Sequence, residues 1–320
     1  MKIKPIIIVS GEPNSIFLEI FLKSLKLRNY KSPIILISSL KLLKFYMKKF
    51  KYQKKINLLD HKNLKVSKLN NKSINLVDVK IKLDKDNKIT SKSNIFIKKS
   101  FDLGLNIMKI FNSSKFINGP ISKKTFLKKK YPGITEYIAQ KNKIKKFAML
   151  IYNKELSVCP LTTHMPIKKV NNFITRKNIF EKVILINDFY IKHKNTKPRI
   201  GILGLNPHCE STDTFNEDDK ILKPAIRSLK KLGFKVSGPY PADTIFLKKN
   251  RIKFDSILGM YHDQVLTPMK TLFEYDAINI TLGLPFIRIS PDHGPNEKMI
   301  GKNKSNPLSL IRAIEFLGKN

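Results

Sequence analysis

Six short apolar runs, separated by amphipathic stretches, leave this chain of 320 residues little choice of fold class. They are residues 5–9 (PIIIV), 33–38 (PIILIS), 115–118 (KFIN), 147–152 (FAMLIY), 199–205 (RIGILGL) and 256–260 (SILGM), all but KFIN rich in Ile, Leu or Val. Runs of this length and composition, bounded by turn-forming residues, read as buried strands. Between them, Ile97, Phe101, Leu105, Met108 and Phe111 recur at helical spacing, and Ile179, Val183, Ile186 and Ile191 do so more loosely. Strands alternating with helices predict an α/β fold, with a largely parallel sheet covered by helices.

Composition narrows the function classes. The formal net charge is +38, from 62 basic and 24 acidic residues, which invites a nucleic-acid reading. Only seven of the basic residues are arginine, however, and the lysines are scattered over every amphipathic segment. Specific nucleic-acid readers depend on arginine for bidentate and stacking contacts. The composition therefore argues against specific nucleic-acid binding and leaves a positive field that attracts anionic small molecules. The two cysteines, Cys159 and Cys209, are too few for a disulfide framework and fit a reducing cytoplasm. The apolar start of the chain is too short for a signal peptide and runs directly into Gly11-Glu12-Pro13. No window approaches the ~20 apolar residues of a bilayer span. These features predict a soluble, cytoplasmic protein with no membrane partner.

Length suits two domains. The polar segment 51–93 is poorly periodic, and its period-two alternation around Asp86-Asn87 predicts a projecting hairpin. A boundary is expected near Tyr131-Pro132-Gly133, where a lysine run ends in a turn signal. The last helix, residues 308–317, is expected to return to the first domain. The division is then 1–130 plus about 295–320 for the first domain and 131–294 for the second.

Three of the six histidines stand in short polar segments that follow apolar runs: His164 in TTHMP, His208 in GLNPHCE and His262 in MYHDQ. Open α/β sheets bind their ligands at the carboxyl ends of strands. Each histidine taken singly is as readily a capping or core residue. Three delivered in the same way point to a metal site with open positions, and nitrogen donors favour Zn, Co, Ni, Fe or Mn over Mg. Further along, Lys270 and Arg288 lie in the apolar runs TPMKTLF and LPFIRIS, where an unpaired charge is costly. They are either a structural ion pair or a clamp for an anionic substrate. No glycine fingerprint for a dinucleotide, no P-loop and no GxSxG elbow is present. Cys209 beside His208 reads as a small apolar filler.

Taken in order, GEPNSIFLEI, NGPISKKTF, GITEYIA, LTTHMP, GLNPHCE, GPYPADTIF, MYHDQ, INITLGLPFIRIS and PDHG resemble the 4-hydroxythreonine-4-phosphate dehydrogenase family, from Gly11 to about Gly301. The resemblance implies an isocitrate/isopropylmalate dehydrogenase-like fold, with two α/β domains flanking a cleft. Such a fold binds NAD or NADP without the glycine fingerprint. The implied reaction is NAD-dependent oxidation of 4-phosphooxy-L-threonine followed by decarboxylation to 3-amino-2-oxopropyl phosphate, in pyridoxine 5'-phosphate synthesis. The resemblance also implies a metal held by His164, His208 and His262, one divalent zinc, cobalt, manganese or magnesium per site. That site is shared across a homodimer interface in the second domain. Substrate contacts carry over to Thr135, Lys270, Asn279 and Arg288. Asn206, Leu284 and Asp292 fall in segments implied to contact NAD. Lys270, Asp243 and Asp263 are candidates for catalysis, proton relay or orientation of ligands, with a helix cap as the alternative for Asp243.

The chain also departs from the family. Ile134 stands where a histidine usually precedes the threonine, so one substrate contact is lost or supplied elsewhere. Asn14-Ser15 and Phe17-Leu18 replace smaller residues in the first loop, and HCES lacks the usual glycine. These differences keep open a sister dehydrogenase acting on a phosphorylated threonate or erythronate. More distant readings are a phosphate acyltransferase on a related fold and a basic binding protein that has kept the fold without the chemistry.

Overall fold

The computed structural model describes residues 4–65, 69–81, 93–122, 126, 131, 133–212, 214–291 and 293–319. The chain divides into two compact units, Met1–Ile138 with Pro285–Asn320, and Ala139–Leu284. The sequence reading put these breaks at 130/131 and 294/295.

Unit 1 is built on β1 (Ile6–Val9), β2 (Ile34–Ser38), β3 (Ile56–Leu58), β4 (Ile74–Asp78), β5 (Lys115–Asn118) and β12 (Ile287–Pro291). Their order across the sheet is β3-β4-β2-β1-β5-β12. Every pairing is parallel, with Ile8 opposite both Leu36 and Ile117. Helices α1 (Phe17–Leu27), α2 (Leu40–Lys49), α3 (Ser93–Ile110) and α10 (Leu308–Lys319) accompany it. A parallel sheet covered on both faces needs apolar residues at every strand position rather than at alternate ones. This is why β1 reads as the unbroken run IIIV, and all four of its side chains are inaccessible. α10 packs on β12, β1 and β5.

Unit 2 carries β6 (Ala148–Tyr152), β7 (Ser157–Pro160), β8 (Ile200–Leu203), β9 (Val236–Tyr240), β10 (Ser256–Gly259) and β11 (Ile278–Leu282), in the order β11-β6-β7-β10-β8-β9. β11-β6-β7 are antiparallel, and β7-β10-β8-β9 are parallel. Helices α5 (Arg176–Lys194), α6 (Lys223–Lys231), the short α7 (Ala242–Ile245) and α8 (Lys248–Arg251), and α9 (His262–Phe273) complete it. α4 (Ile134–Lys141) spans the break between the units. Thr175 starts α5 by accepting the Asn178 amide, and left-handed Asn195 ends it.

One expectation is corrected. Segment 51–93 is expected to hold a projecting hairpin, yet its described part supplies β3 and β4, and β4 is an interior strand paired parallel to both β2 and β3. The hairpin expected around Asp86-Asn87 lies outside the described residues. β3 is only three residues long, with Leu58 exposed, so it carries no run long enough to show periodicity.

Candidate active site

In unit 2 the strands β7, β10 and β8 lie side by side and parallel, with Ser256 opposite both Ser157 and Ile200. Their carboxyl ends therefore emerge together, and each leads into one of the three histidine segments. Cross-links set the ends in register. Leu161 N donates to Gly259 O (2.7 Å) and Thr162 Oγ1 to Met260 O (2.8 Å), tying the segment after β7 to β10. Gln264 then bridges β10 to β8. Its Oε1 accepts from Met260 N (2.7 Å), and its Nε2 donates to Gly204 O (2.8 Å).

The result brings His164 and His262 together, with ring centroids 5.6 Å apart and planes inclined by 40°. His262 is the first residue of α9, so MYHDQ is a strand-to-helix turn rather than a loop. Its Nδ1 lies 2.6 Å from Asp263 Oδ1. With the proton on Nδ1 and donated to that carboxylate, Nε2 keeps its lone pair for a ligand. This donor set fits a divalent transition metal.

His208 stands in the turn Pro207–Cys209 with φ 56° and ψ 11°, and Cys209 follows at φ 63°. Two successive non-glycine residues in the left-handed region cost on the order of 1 kcal/mol or more each, so surrounding contacts must hold them. Burial, and next the charge of Asp218, push the Cys209 thiol up to about 11. It is protonated at neutral pH and serves as the filler its sequence setting indicated. Among the described residues, no group of three or more His, Cys, Asp or Glu side chains is placed to hold a metal ion within one chain. His208 thus does not complete a trio with His164 and His262 inside this chain.

Unit 1 gathers a different set at the carboxyl ends of β1 and β5 and beside the amino-terminal half of β12. Arg288 on β12 is completely buried. Its Nε donates to Asn118 Oδ1 (2.7 Å) and its Nη1 to Thr135 Oγ1 (3.2 Å). Burial draws its pKa down to about 9, with Glu136 opposing, so the guanidinium stays charged at neutral pH. Glu12 follows the left-handed Gly11 (φ 73°), where a side chain would collide with the Pro120 carbonyl. Glu12 N donates to Pro120 O (2.7 Å). The Glu12 side chain is 1% exposed, and burial pushes its carboxyl up to about 7. Hydrogen bonds from Ser93 and the Ser122 amide oppose that rise, and the charge of Glu297 adds to it.

The remaining candidates are dispersed. Lys270 is exposed in the last turn of α9, so the reading of it as a charge in a buried run is corrected: TPMKTLF is two turns of an amphipathic helix that buries Met269 and exposes the lysine. Asn279 on β11 turns a buried Oδ1 that accepts no hydrogen bond among the described residues. Asp243 is exposed in the first turn of α7, whose N-cap is Pro241, so the helix-cap alternative is not realised. The amide nitrogen of Asn206 is engaged by Asp218 and Glu217, Leu284 is half-buried, and Asp292 lies outside the described residues. Sequence reasoning missed Gln264, Asn118, Glu12 and Asp218. Glu12 had a signal, since it stands in the Gly11-Glu12-Pro13 turn just beyond an all-apolar strand. The other three show their partners only in three dimensions.

The family model described as "Pyridoxal phosphate biosynthetic protein PdxA" matches residues 29–317. A 4-hydroxythreonine-4-phosphate dehydrogenase of Sulfurihydrogenibium sp. (strain YO3AOP1) is 37% identical over 97% of this chain and 96% of its own length. A D-threonate 4-phosphate dehydrogenase of Pectobacterium atrosepticum is 37% identical over 58% of this chain and 57% of its own length. The crystal structure of 4-hydroxythreonine-4-phosphate dehydrogenase from Klebsiella pneumoniae superposes with a TM-score of 0.81 at 25% identity, covering 98% of both chains. Isocitrate dehydrogenase from Methylococcus capsulatus shares the fold, with a TM-score of 0.50 at 10% identity over 97% of this chain and 84% of its own. The chain belongs to the family of the pyridoxal phosphate biosynthetic protein PdxA.

Proposed function

We propose that this chain is an NAD-dependent dehydrogenase that oxidises 4-phosphooxy-L-threonine at its carbon-3 hydroxyl. The carbon gives up hydride to the nicotinamide and the hydroxyl gives up its proton, producing a β-keto acid. The bond to the carboxylate then breaks and carbon dioxide leaves. The electron pair left behind takes a proton, giving 3-amino-2-oxopropyl phosphate. The observation that carries the reading is the pairing of His164 with His262 at adjacent strand ends, with Asp263 Oδ1 beside His262 Nδ1.

His164, His208 and His262 would hold a divalent metal, which would supply Lewis-acid polarisation of the substrate hydroxyl. The third imidazole would come from the partner in a homodimer, since His164 and His262 meet within one chain and His208 does not join them. Thr135, Lys270, Asn279 and Arg288 are the proposed substrate contacts, and Asn206, Leu284 and Asp292 the proposed NAD segments. Arg288 lends a fixed positive charge whose direction is set by Asn118 and Thr135. Asp263 orients His262, and Asp243 and Lys270 are the exposed groups proposed for proton relay. Both cysteines are free thiols, in keeping with a reducing cytoplasm. No helix among the described residues is long and apolar enough to cross a membrane.

NADH formation from 4-phosphooxy-L-threonine and NAD, with and without a chelator, tests the proposal. Turnover that the chelator abolishes supports it, and absence of turnover with added Zn, Co, Mn or Mg overturns it. A second reading, oxidation of a phosphorylated threonate or erythronate, is favoured by Ile134 in the first turn of α4 and by the similarity to the D-threonate enzyme. Equal or faster turnover of those acids in the same assay would replace the first substrate with the second.

A further inference from the structure

The turn that carries His208 rests on a buried carboxylate with no role in the reading above. Asp218 opens a single π-helical turn (Asp218–Leu222) just before α6, and it is completely inaccessible. Its Oδ1 accepts the Leu205 amide (2.9 Å), and its Oδ2 accepts the Asn206 amide (3.1 Å) and the Asn206 side-chain nitrogen (3.0 Å). It is held from behind as well, since its own amide donates to Asn216 Oδ1 (2.9 Å). Space around it is tight. A side chain at Gly204 would come within 2.7 Å of Asp218 Oδ1 and 2.6 Å of Cys209 Sγ.

These contacts converge on the residues between the end of β8 and His208. Asp218 grips Leu205 and Asn206, and the Asn206 carbonyl accepts the Cys209 amide (3.0 Å), closing the turn in which His208 and Cys209 are both left-handed. A left-handed histidine is unfavourable unless its surroundings leave it no alternative. Gln264 completes the frame from the other side by binding Gly204 O while it holds Met260 at the start of α9. One network thus fixes the backbone that leads into His208 and the turn that leads into the helix beginning at His262.

We propose that Asp218 is a positioning residue: it locks the Gly204–Cys209 turn so that the His208 imidazole is presented in the geometry a metal ligand requires. This rests on the reading of His208 as a ligand. A carboxylate suits the task because it offers acceptors at two oxygens to three N–H donors. An asparagine would turn its own amide toward one of them. Partners of this kind, one step behind the ligands, typically alter metal affinity 10–100-fold when changed.

The test is titration of the full chain, freed of metal, with Co²⁺ alone, followed by its visible d–d absorption. Four proteins are compared: wild type, Asp218→Asn, Asp218→Glu and Ile226→Val. Ile226 is a buried residue of α6 and controls for a general loss of stability, read as Tm. The expected result is a Co²⁺ affinity at least tenfold weaker and an altered absorption band for Asp218→Asn. Asp218→Glu, which keeps both acceptor oxygens, should recover part of the affinity, and Ile226→Val should leave both unchanged. Wild-type affinity and spectrum in a folded Asp218→Asn, or the same loss in Ile226→Val, overturns the positioning role while the metal reading stands. Should wild type itself bind no Co²⁺, the ligand reading of His208 fails and the proposal falls with it.

Discussion

The two groups of candidate residues are built on opposite principles. In unit 1 the charged group is itself buried: Arg288 is inaccessible and spends its hydrogen bonds on Asn118 and Thr135. In unit 2 His164 and His208 are exposed and His262 half-exposed, while the buried polar groups, Asp218 among them, stand behind them and direct the backbone. A fixed positive charge must be oriented when the chain folds, because a buried guanidinium cannot search for partners afterwards. Imidazoles proposed as metal ligands need access and exchange, so their placement rests on the turns that carry them. The first arrangement couples function to stability, and the second largely separates them.

That contrast can be broken most sharply at the histidines. Replacing His208 with alanine should lower turnover by about 10³-fold and empty the metal site, with little change in Tm. Metal content by elemental analysis, alongside NADH formation, checks it, and retained metal with retained turnover would end the ligand assignment. The opposite behaviour is expected of Arg288→Lys. A lysine lacks the rigid fork that meets Asn118 and Thr135 from two separate nitrogens, so a loss of about 2–4 kcal/mol in denaturant stability should accompany a raised substrate KM. A variant as stable as wild type would show that the buried fork does not couple the two.

Glu12 tests the same coupling through pH. Its folded-state pKa is raised from 4.5 to about 7. The stability it contributes is therefore fully present below pH 4.5 and is lost as pH rises through 7. The cost at pH 8 is up to about 3 kcal/mol. Glu12→Gln should match wild type in Tm near pH 4.5 and exceed it at pH 8, and parallel Tm profiles would refute the assignment. The smallest effect belongs to Asp263→Asn. It removes a carboxylate from His262 Nδ1 at an exposed position and should weaken metal binding about tenfold with an unchanged Tm.

Much of this architecture is legible in the one-dimensional pattern. The first strand, Ile6–Val9, stands out because a doubly covered parallel strand must be apolar throughout. The three histidines stand out because each follows such a strand at its carboxyl end. β3 and β4 are hidden in a lysine- and asparagine-rich segment, since INL and INLVD are too short to show a period. Lys270 misleads because TPMKTLF has the same apolar content whether it is a buried strand or one face of a helix, and only packing shows that the lysine lies outside.

What the sequence by itself determined is the α/β class and the delivery of three imidazoles to strand ends, because both follow from local period and composition. The tertiary structure alone decided that β10 lies between β7 and β8, which brings His262 to His164. It alone decided that Arg288 meets Asn118 from 170 residues away and that Asp218 reaches back to Leu205. Strand adjacency and the burial of a charge are sums over distant contacts, and no local window of residues carries that sum.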